Sequence, residues 1–425
     1  MSVVQPMLKP APLVKSGELT REFVEAYSHA LNEPVWMMAR RLEALRVFRD
    51  TPAPNRFDEL WRRVDLSLFK LDQMIASITP GGEGATATQT APMNADELKK
   101  LGVVFVSFED AVRDHQDLLD KFYMTEGVKL TDSYFAALHA VFVRGGTLLY
   151  VPAGVKLDQP LRTNTMMSTT ARTGFNHTLI VVEEGAQATL IEEFKSETGD
   201  APTMYDGVVE IILRKGAHVD YVNIQDWGRH TWNFSTERAV VGEQSTLHWV
   251  LGGIGAKFTK SLIEADMMGA NGLALLSGVY FADSKQQFHY DTQQNHIAPS
   301  CKSDLLYKAA LRDSARAVWR GNIRVFPKAQ KTDAYQANRN LQLSDKSRAD
   351  SIPGLEIEAD DVRCTHGSTV GQIDEEPMFY LETRGVPQPE ARRLIVEGFF
   401  APVIERIPLE ETRDRLIDEI GKKID

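Results

Sequence analysis

The sequence predicts a mainly β protein: a parallel β-helix, or β-solenoid, set between helical N-terminal and C-terminal domains. Three observations carry that reading. From Gly146 onward, segments such as TLLYVPAGV, HTLIVVEEGAQATLIEEF, VVEIILRKGAHVDYVNIQDW and SLIEADMMGANGLALLSGVYFAD each place an apolar strand, a turn of small residues and another strand in succession. Turn centres at Gly185, Gly216, Gly242 and Gly269 recur every 26–31 residues, which is the pattern of stacked repeats. No long helical pattern intervenes, so successive repeats stack directly. Such a stack buries one continuous core and leaves two ends to be capped, for which the terminal segments are the natural candidates.

The flanks justify the rest of the architecture. A chain of 425 residues is too long for one ordinary core, and 43% hydrophobic with 25% charged residues is a globular composition. Residues 1–145 read mainly as helix. Leu19, Phe23, Ala26 and Ala30 form one apolar stripe from Gly17 to Leu31, and Val35, Met38, Leu42 and Leu45 form the next; Trp36 and Trp61 fill the small core. The stretch TPGGEGATATQTAPMN, 79–94, is small, polar and broken by Gly and Pro, and reads as a mobile linker. Helix returns from Phe108 to Tyr123 and from Asp132 to Val143, and Gly145-Gly146 stops it. The solenoid core is placed at 146–373. The C-terminal helical domain, 374–425, starts with acidic Asp374, Glu375 and Glu376 and continues after Pro387 and Pro408 in two further apolar stripes.

Composition excludes several functions. The net charge is −11 with no Lys/Arg block, so neither nucleic acid nor an anionic membrane surface is an expected partner. No apolar run is long enough to span a membrane and the N-terminus MSVVQPMLKPAPLVK lacks a signal-peptide core, which points to the cytoplasm. With only Cys301 and Cys364, the chain builds neither a disulfide framework nor a four-cysteine metal site. The segment GGIGAKFTK from Gly252 fails as a phosphate loop, because Lys257 follows Ala256 and Phe258 stands where Ser or Thr should hold magnesium.

The chain is organised around LEIEADDVRCTHGSTVGQI, Leu355 to Ile373. Leu355, Ile357 and Ala359 share one strand face, Asp360-Asp361 breaks the run, and a second strand starts at Val362. There Cys364 and His366 point the same way, roughly 6–7 Å apart at Cα by strand rise. A thiol and an imidazole on one face offer two metal ligands together, so Cys364 and His366 are the candidate metal residues. Two ligands are too few for a closed site, and the rest must come from elsewhere.

The other ionisable residues carry less. His218, His230, His248, His289 and His296 are scattered without tight metal spacing and read as surface or core residues. The alternative function is a solenoid enzyme acting on an extended polysaccharide, with Glu183-Glu184 or Glu192-Glu193 as first suspects. Neighbours on a strand face opposite sides, so neither pair forms an acid/base couple by itself. A cysteine hydrolase built on Cys364 and His366 lacks an evident oxyanion site.

The words ADDVRCTHGSTVGQIDEE and MFYLETRGVPQPEARRLIVEGFFAPVIERIP, with EPVWMMARRLEAL, GGTLLYVPAGV and VVEEGAQATLIEEF earlier, resemble the SufB/SufD family of the bacterial SUF iron–sulfur cluster assembly system, on its SufD side. The resemblance implies a right-handed parallel β-helix and a non-catalytic scaffold subunit of a SufBCD complex. It implies pairing with a SufB paralogue, an ABC-type ATPase, SufC, docked on the C-terminal helices, and a part in iron entry. A transient iron or iron–sulfur cluster would be shared with the partner, with no nucleotide site in this chain. Family positions at the subunit interface fall on Cys364 and His366. Gly367 stands where the B subunit has glutamate, and Tyr335 to Ser344 holds no cysteine, so both departures favour D over B. For the ATPase dock, exposed apolar residues are expected among Phe399, Phe400, Val403 and Ile404.

Overall fold

A computed structural model describes residues 19–407 and 409–424. The expected helix start at Gly17, the N-terminal segment and Pro408 lie outside them. The described chain is mainly β, a solenoid of about eight turns with helices toward both termini. Each turn gives one strand to each of two facing sheets. The first sheet runs, in spatial order, from Thr86–Thr90 and Leu161–Met167 through seven parallel rungs to Arg363–Gln372. The second runs from Val104–Ser107 and Gly146–Val151 to Arg348–Ile357. Rungs of the first sheet start at Gln187, His218, Thr246, Leu273, Lys302, Asp333 and Arg363, a step of 27–31 residues.

The step is regular because side chains of equivalent position stack in columns. Ala188, Val219, Leu247, Ala274, Ser303 and Ala334 lie in register one above another and are all buried. A column of Leu190, Tyr221, Trp249, Leu276, Leu305 and Gln336 runs beside it, also buried. Each added turn thus covers the apolar residues of the one below, a gain that no turn obtains alone. The turn glycines act in two ways. Gly216 takes a left-handed φ of 64°, whereas at Gly269 a Cβ would lie 1.9 Å from the Glu243 backbone nitrogen, and Asn271 supplies the left-handed residue at φ 61°.

The two ends differ from the expected pair of caps. At the N-terminal end, Thr86–Thr90 and Val104–Ser107 pair antiparallel with Leu161–Met167 and Gly146–Val151 and close both sheets. The segment 79–94 therefore contains an edge-capping strand where a linker was expected. Its alternating Thr-Ala-Thr-Gln-Thr suits a half-exposed strand, and Gln89 donates to the Gly146 carbonyl and to Thr147 Oγ1, at 3.0 Å each. The N-terminal helices lie on the outer face of the second sheet, where Phe135 stacks on Phe234 at 4.1 Å and 11° and Trp61 stacks on Phe135. Their buried faces are rotated by about one residue from the expected stripes, with Val24, Tyr27, Met37 and Ala44 inside and Ala26 and Val35 exposed. The cause is Arg41. It is fully buried, pairs with Glu33, and donates to the carbonyls of Val141 and Val143, which end the helix Tyr134–Phe142.

The C-terminal helices do not cap the stack. Gln388–Ile404 and Glu410–Ile424 fold back onto the outer face of the first sheet, burying Val396, Phe400, Val403, Leu416 and Ile420 against Ile191, Val222, Val250 and Val279. Lys423 anchors the last turn by donating to Ile254 O at 2.6 Å and Gln286 Oε1 at 3.0 Å, and its burial lowers the ammonium to about 7. The last turn of the solenoid, Arg348–Ile357 with Arg363–Gln372, contains no buried residue in either strand. This end is open.

Candidate functional site

Cys364 and His366 lie on that last rung. Cys364 is in register with Ala334 and His366 with Gln336, so both continue the interior columns described above. Among the described residues no strand pairs with that rung on its far side, so the next position in both columns is empty of this chain's residues. Cys364 is half-buried against the top of a small cluster with Ile323, Val325, Ala334 and Ala359, while His366 is exposed. Burial pushes the Cys364 thiol up, the Asp333 carboxylate adds to the rise, and the Ala334 backbone amide opposes it. A thiol raised in this way is a poor free nucleophile, which counts against the cysteine-hydrolase reading; a bound cation would favour the thiolate. Among the described residues no His, Cys, Asp or Glu joins Cys364 and His366 in a three-ligand group. Arg348–Ile357 and Arg363–Gln372 also end their sheets, so their outward backbone groups and the two side chains are offered together.

Cys301 has a different role. It is buried, its thiol donates to the Gly269 carbonyl at 3.2 Å, and it helps close a turn. The segment GGIGAKFTK joins the strands Thr246–Gly253 and Phe258–Met267, and Phe258 packs on Trp232, so no helix N-terminus is present there to receive phosphate.

Of the acids suspected for polysaccharide chemistry, Glu183 and Glu184 lie in the turn between the strands His177–Val182 and Gln187–Ser196, while Glu192 and Glu193 separate as strand geometry requires. Glu193 faces out, paired with Arg415, while Glu192 faces the sealed interior. Glu192 accepts hydrogen bonds from Tyr221 Oη at 2.6 Å and Thr178 Oγ1 at 2.9 Å. Glu237 nearby accepts from Asn223 Nδ2 at 3.0 Å and Ser235 Oγ at 2.7 Å. Burial raises both carboxyls to about 7. The cavity lined by Thr178, Asn223, Ser235 and Glu237 holds about 30 Å³, too little for a sugar.

Two histidine groupings escape a reading based on sequence spacing. The first is a buried chain between the N-terminal helices and the second sheet. His139 Nδ1 lies 3.0 Å from Asp206 O, His139 Nε2 lies 3.2 Å from His177 Nδ1, and His177 Nε2 lies 3.0 Å from Glu210 Oε1. Burial drives both imidazoles down, His177 to about 3, so both are neutral. The Asp206 carbonyl only accepts, which fixes the donor direction along the chain and leaves His177 Nε2 as an acceptor. Glu210 must then donate. Its carboxyl is raised to about 8 by burial, against hydrogen bonds from the Met124 and Val128 amides, which agrees with a proton held there. This is a structural clasp, closed to solvent.

The second grouping overturns the expectation that the solenoid histidines are dispersed. Thr246 pairs with His218, so His248 lies directly across the ladder from Asp220, and the three side chains converge on the outer face of the first sheet. The signal was the interval of 30 residues between the histidines, two more than the local step of 28, but it becomes readable only once the register is known. His289 packs on Phe258 and His296 bonds Ser303 Oγ at 2.8 Å, as expected of core residues.

The expected exposed apolars are also relocated. Phe400, Val403 and Ile404 are buried against the solenoid, because a three-helix unit this small covers its stripes on the sheet. Phe379 at 68%, Tyr380 at 57% and Leu394 at 46% are the exposed ones, and the helix Glu375–Thr383 buries no residue.

Comparison with known proteins gives this architecture its family. Residues 165–399 match the family described as SUF system FeS cluster assembly, SufBD core domain, and residues 88–163 match the SufBD protein N-terminal region. The iron–sulfur cluster assembly protein SufD of Bacillus subtilis (strain 168) is 30% identical over 95% of this chain and 98% of its own length. SufBD family proteins of Staphylococcus saprophyticus and Staphylococcus aureus are each 28% identical over 92% of this chain and 90% of theirs. No helix among the described residues is long and apolar enough to cross a membrane. The chain belongs to the SufB/SufD family and has its role in iron–sulfur cluster assembly.

Proposed function

We propose that this chain is a non-catalytic scaffold subunit of a cytoplasmic SufBCD-type complex, holding one side of a site where iron or a nascent cluster is bound in transit. One observation carries the reading: Cys364 and His366 occupy interior columns at a solenoid end that has no further turn above it. A SufB-like paralogue stacking there would extend both sheets and bring the missing ligands over these two, which accounts for an incomplete site on an unpaired edge. Iron entry fits the same place, since a thiol beside an imidazole suits borderline divalent metals. The exposed Phe379, Tyr380 and Leu394 form the dock for a SufC-like ATPase, at the start of the segment that directly follows the Cys364/His366 strand.

The polysaccharide-enzyme alternative loses the Glu192-Glu193 pair, because Glu192 is sealed in and Glu193 is held by Arg415. Co-expression with a SufB-like and a SufC-like chain separates the two readings. A three-component complex is the expected result, with Phe379→Ala/Tyr380→Ala losing only the ATPase. A chain that binds neither partner and cleaves oligosaccharides would overturn the proposal.

A further inference from the structure

The cluster on the outer face of the first sheet is independent of the open end. His218 and Asp220 are two residues apart on the strand His218–Asp226, and His248 stands opposite Asp220 on the strand Thr246–Gly253. Asp220 Oδ1 is the pivot, at 3.2 Å from His218 Nε2 and 2.9 Å from His248 Nδ1. The two rings stand nearly perpendicular, with centroids 5.0 Å apart at 82°. From the rung below, Thr189 Oγ1 lies 3.4 Å from the other carboxylate oxygen, Oδ2.

Side chains of His218, Asp220 and His248 are 30%, 19% and 38% exposed, so the group is shielded on the sheet side and open on the other. Farther along the same strands, Val222, Ile224 and Val250 pass under the C-terminal helices, so the cluster lies beyond the apolar patch those helices cover.

We propose that His218, Asp220 and His248 form a mononuclear site for a borderline divalent metal ion, of the iron(II) or zinc class, distinct from the site at Cys364 and His366. All three ligand atoms lie within 4.8 Å of one another, and the two separations from Oδ1 are those of neighbouring ligands around an ion held at about 2.0–2.1 Å. Two imidazoles and one carboxylate are the ligand set of zinc and non-haem iron(II) sites, and the imidazole majority disfavours calcium and magnesium. The backbone positions are fixed by the parallel ladder, so little ordering is left to be done on binding. Thr189 is placed to orient the carboxylate, as groups behind metal ligands commonly do. Three protein ligands and an open side leave room for water or an exchanging ligand.

The metal-free alternative has the carboxylate receiving both imidazoles as donors. Burial pushes the Asp220 carboxyl up, but hydrogen bonds from the two histidines outweigh it and hold the group well below the usual range. The same ionised carboxylate serves as a ligand once the ring nitrogens turn their lone pairs to an ion. Four strand spacings separate His248 from the Arg363–Gln372 rung, about 19 Å at ~4.8 Å per strand, so one ion cannot touch both sites.

The test is titration of the full chain with cobalt(II), then displacement by zinc(II), using a Cys364→Ser/His366→Ala chain to silence the open end. The expected result is one equivalent of cobalt with visible ligand-field bands and no thiolate charge-transfer band, lost in both His248→Gln and Asp220→Asn with the far-ultraviolet circular dichroism unchanged. Crystals of the unsubstituted chain soaked in zinc provide a readout that needs no variant: anomalous scattering is expected among the three side chains. No cobalt binding by the silenced chain, binding that survives His248→Gln, or an anomalous map empty at this position would each overturn the proposal.

Discussion

The two ends of the solenoid are built from the same kind of rung, and only one of them is closed. At the N-terminal end, antiparallel strands finish both sheets and an aromatic cluster around Phe135 and Phe234 seals the neighbouring face. At the C-terminal end the columns stop at Cys364 and His366, and the helices that could have covered them pack instead on the side of the stack. The difference separates stability from function. Groups at the closed end are covered by the chain itself; groups at the open end are not, and here those groups include a thiol and an imidazole.

The largest loss is expected for Phe135→Ala, on the sealed face beside the closed end. Removing a fully packed ring should cost about 3–5 kcal/mol, measured by urea unfolding. Val370→Lys tests the open end. Val370 stands in register with buried Asn340 yet is 46% exposed, so stability should stay within about 0.5 kcal/mol while binding of the SufB-like paralogue is lost in a pull-down. Similar destabilisation by both substitutions would erase the contrast between the ends.

A smaller effect reports on the clasp behind the closed end. Glu210 has a folded pKa of about 8 against an unfolded value of about 4.5, so its contribution is fully present below pH 4.5 and is lost as pH rises through 8. The slope approaches about 1.4 kcal/mol per pH unit for one such group. Glu210→Gln keeps a donor toward His177 and should make the decline shallower between pH 6.5 and 8, above the range in which the buried histidines, held neutral, titrate in the opposite direction. It should not abolish it, because Glu192 and Glu237, raised to about 7, titrate in the same direction. An unchanged pH profile of unfolding would show that Glu210 is ionised in the folded chain.

Much of this was legible in the sequence, for physical reasons. Period-two apolar alternation and small-residue turns at a 26–31-residue interval are local features, so the solenoid could be read from them. Cys364 and His366 sit two apart on one strand, and local spacing was enough to pair them. What local spacing could not supply was register. His218 and His248 meet Asp220 because one rung is 28 residues long at that point, and His139 reaches His177 across two domains. Burial of a charge also misleads a helical stripe, as Arg41 does, because its partners are carbonyls a hundred residues away. The strand at Thr86–Thr90 was hidden by its Gly- and Pro-rich surroundings, since its stability comes from Leu161–Met167 rather than from its own composition.

If the open end supplies half of a shared metal site, Cys364 and His366 govern how much cluster the complex can hold. Anaerobic reconstitution of the three-component complex, with iron and acid-labile sulfide measured per complex, tests it directly when done with His366→Ala and Cys364→Ser chains beside the unsubstituted one. Complexes of unchanged composition are expected, with cluster yield reduced about tenfold or more, the scale seen when metal-site groups are removed. Full cluster yield from both substituted complexes would contradict it.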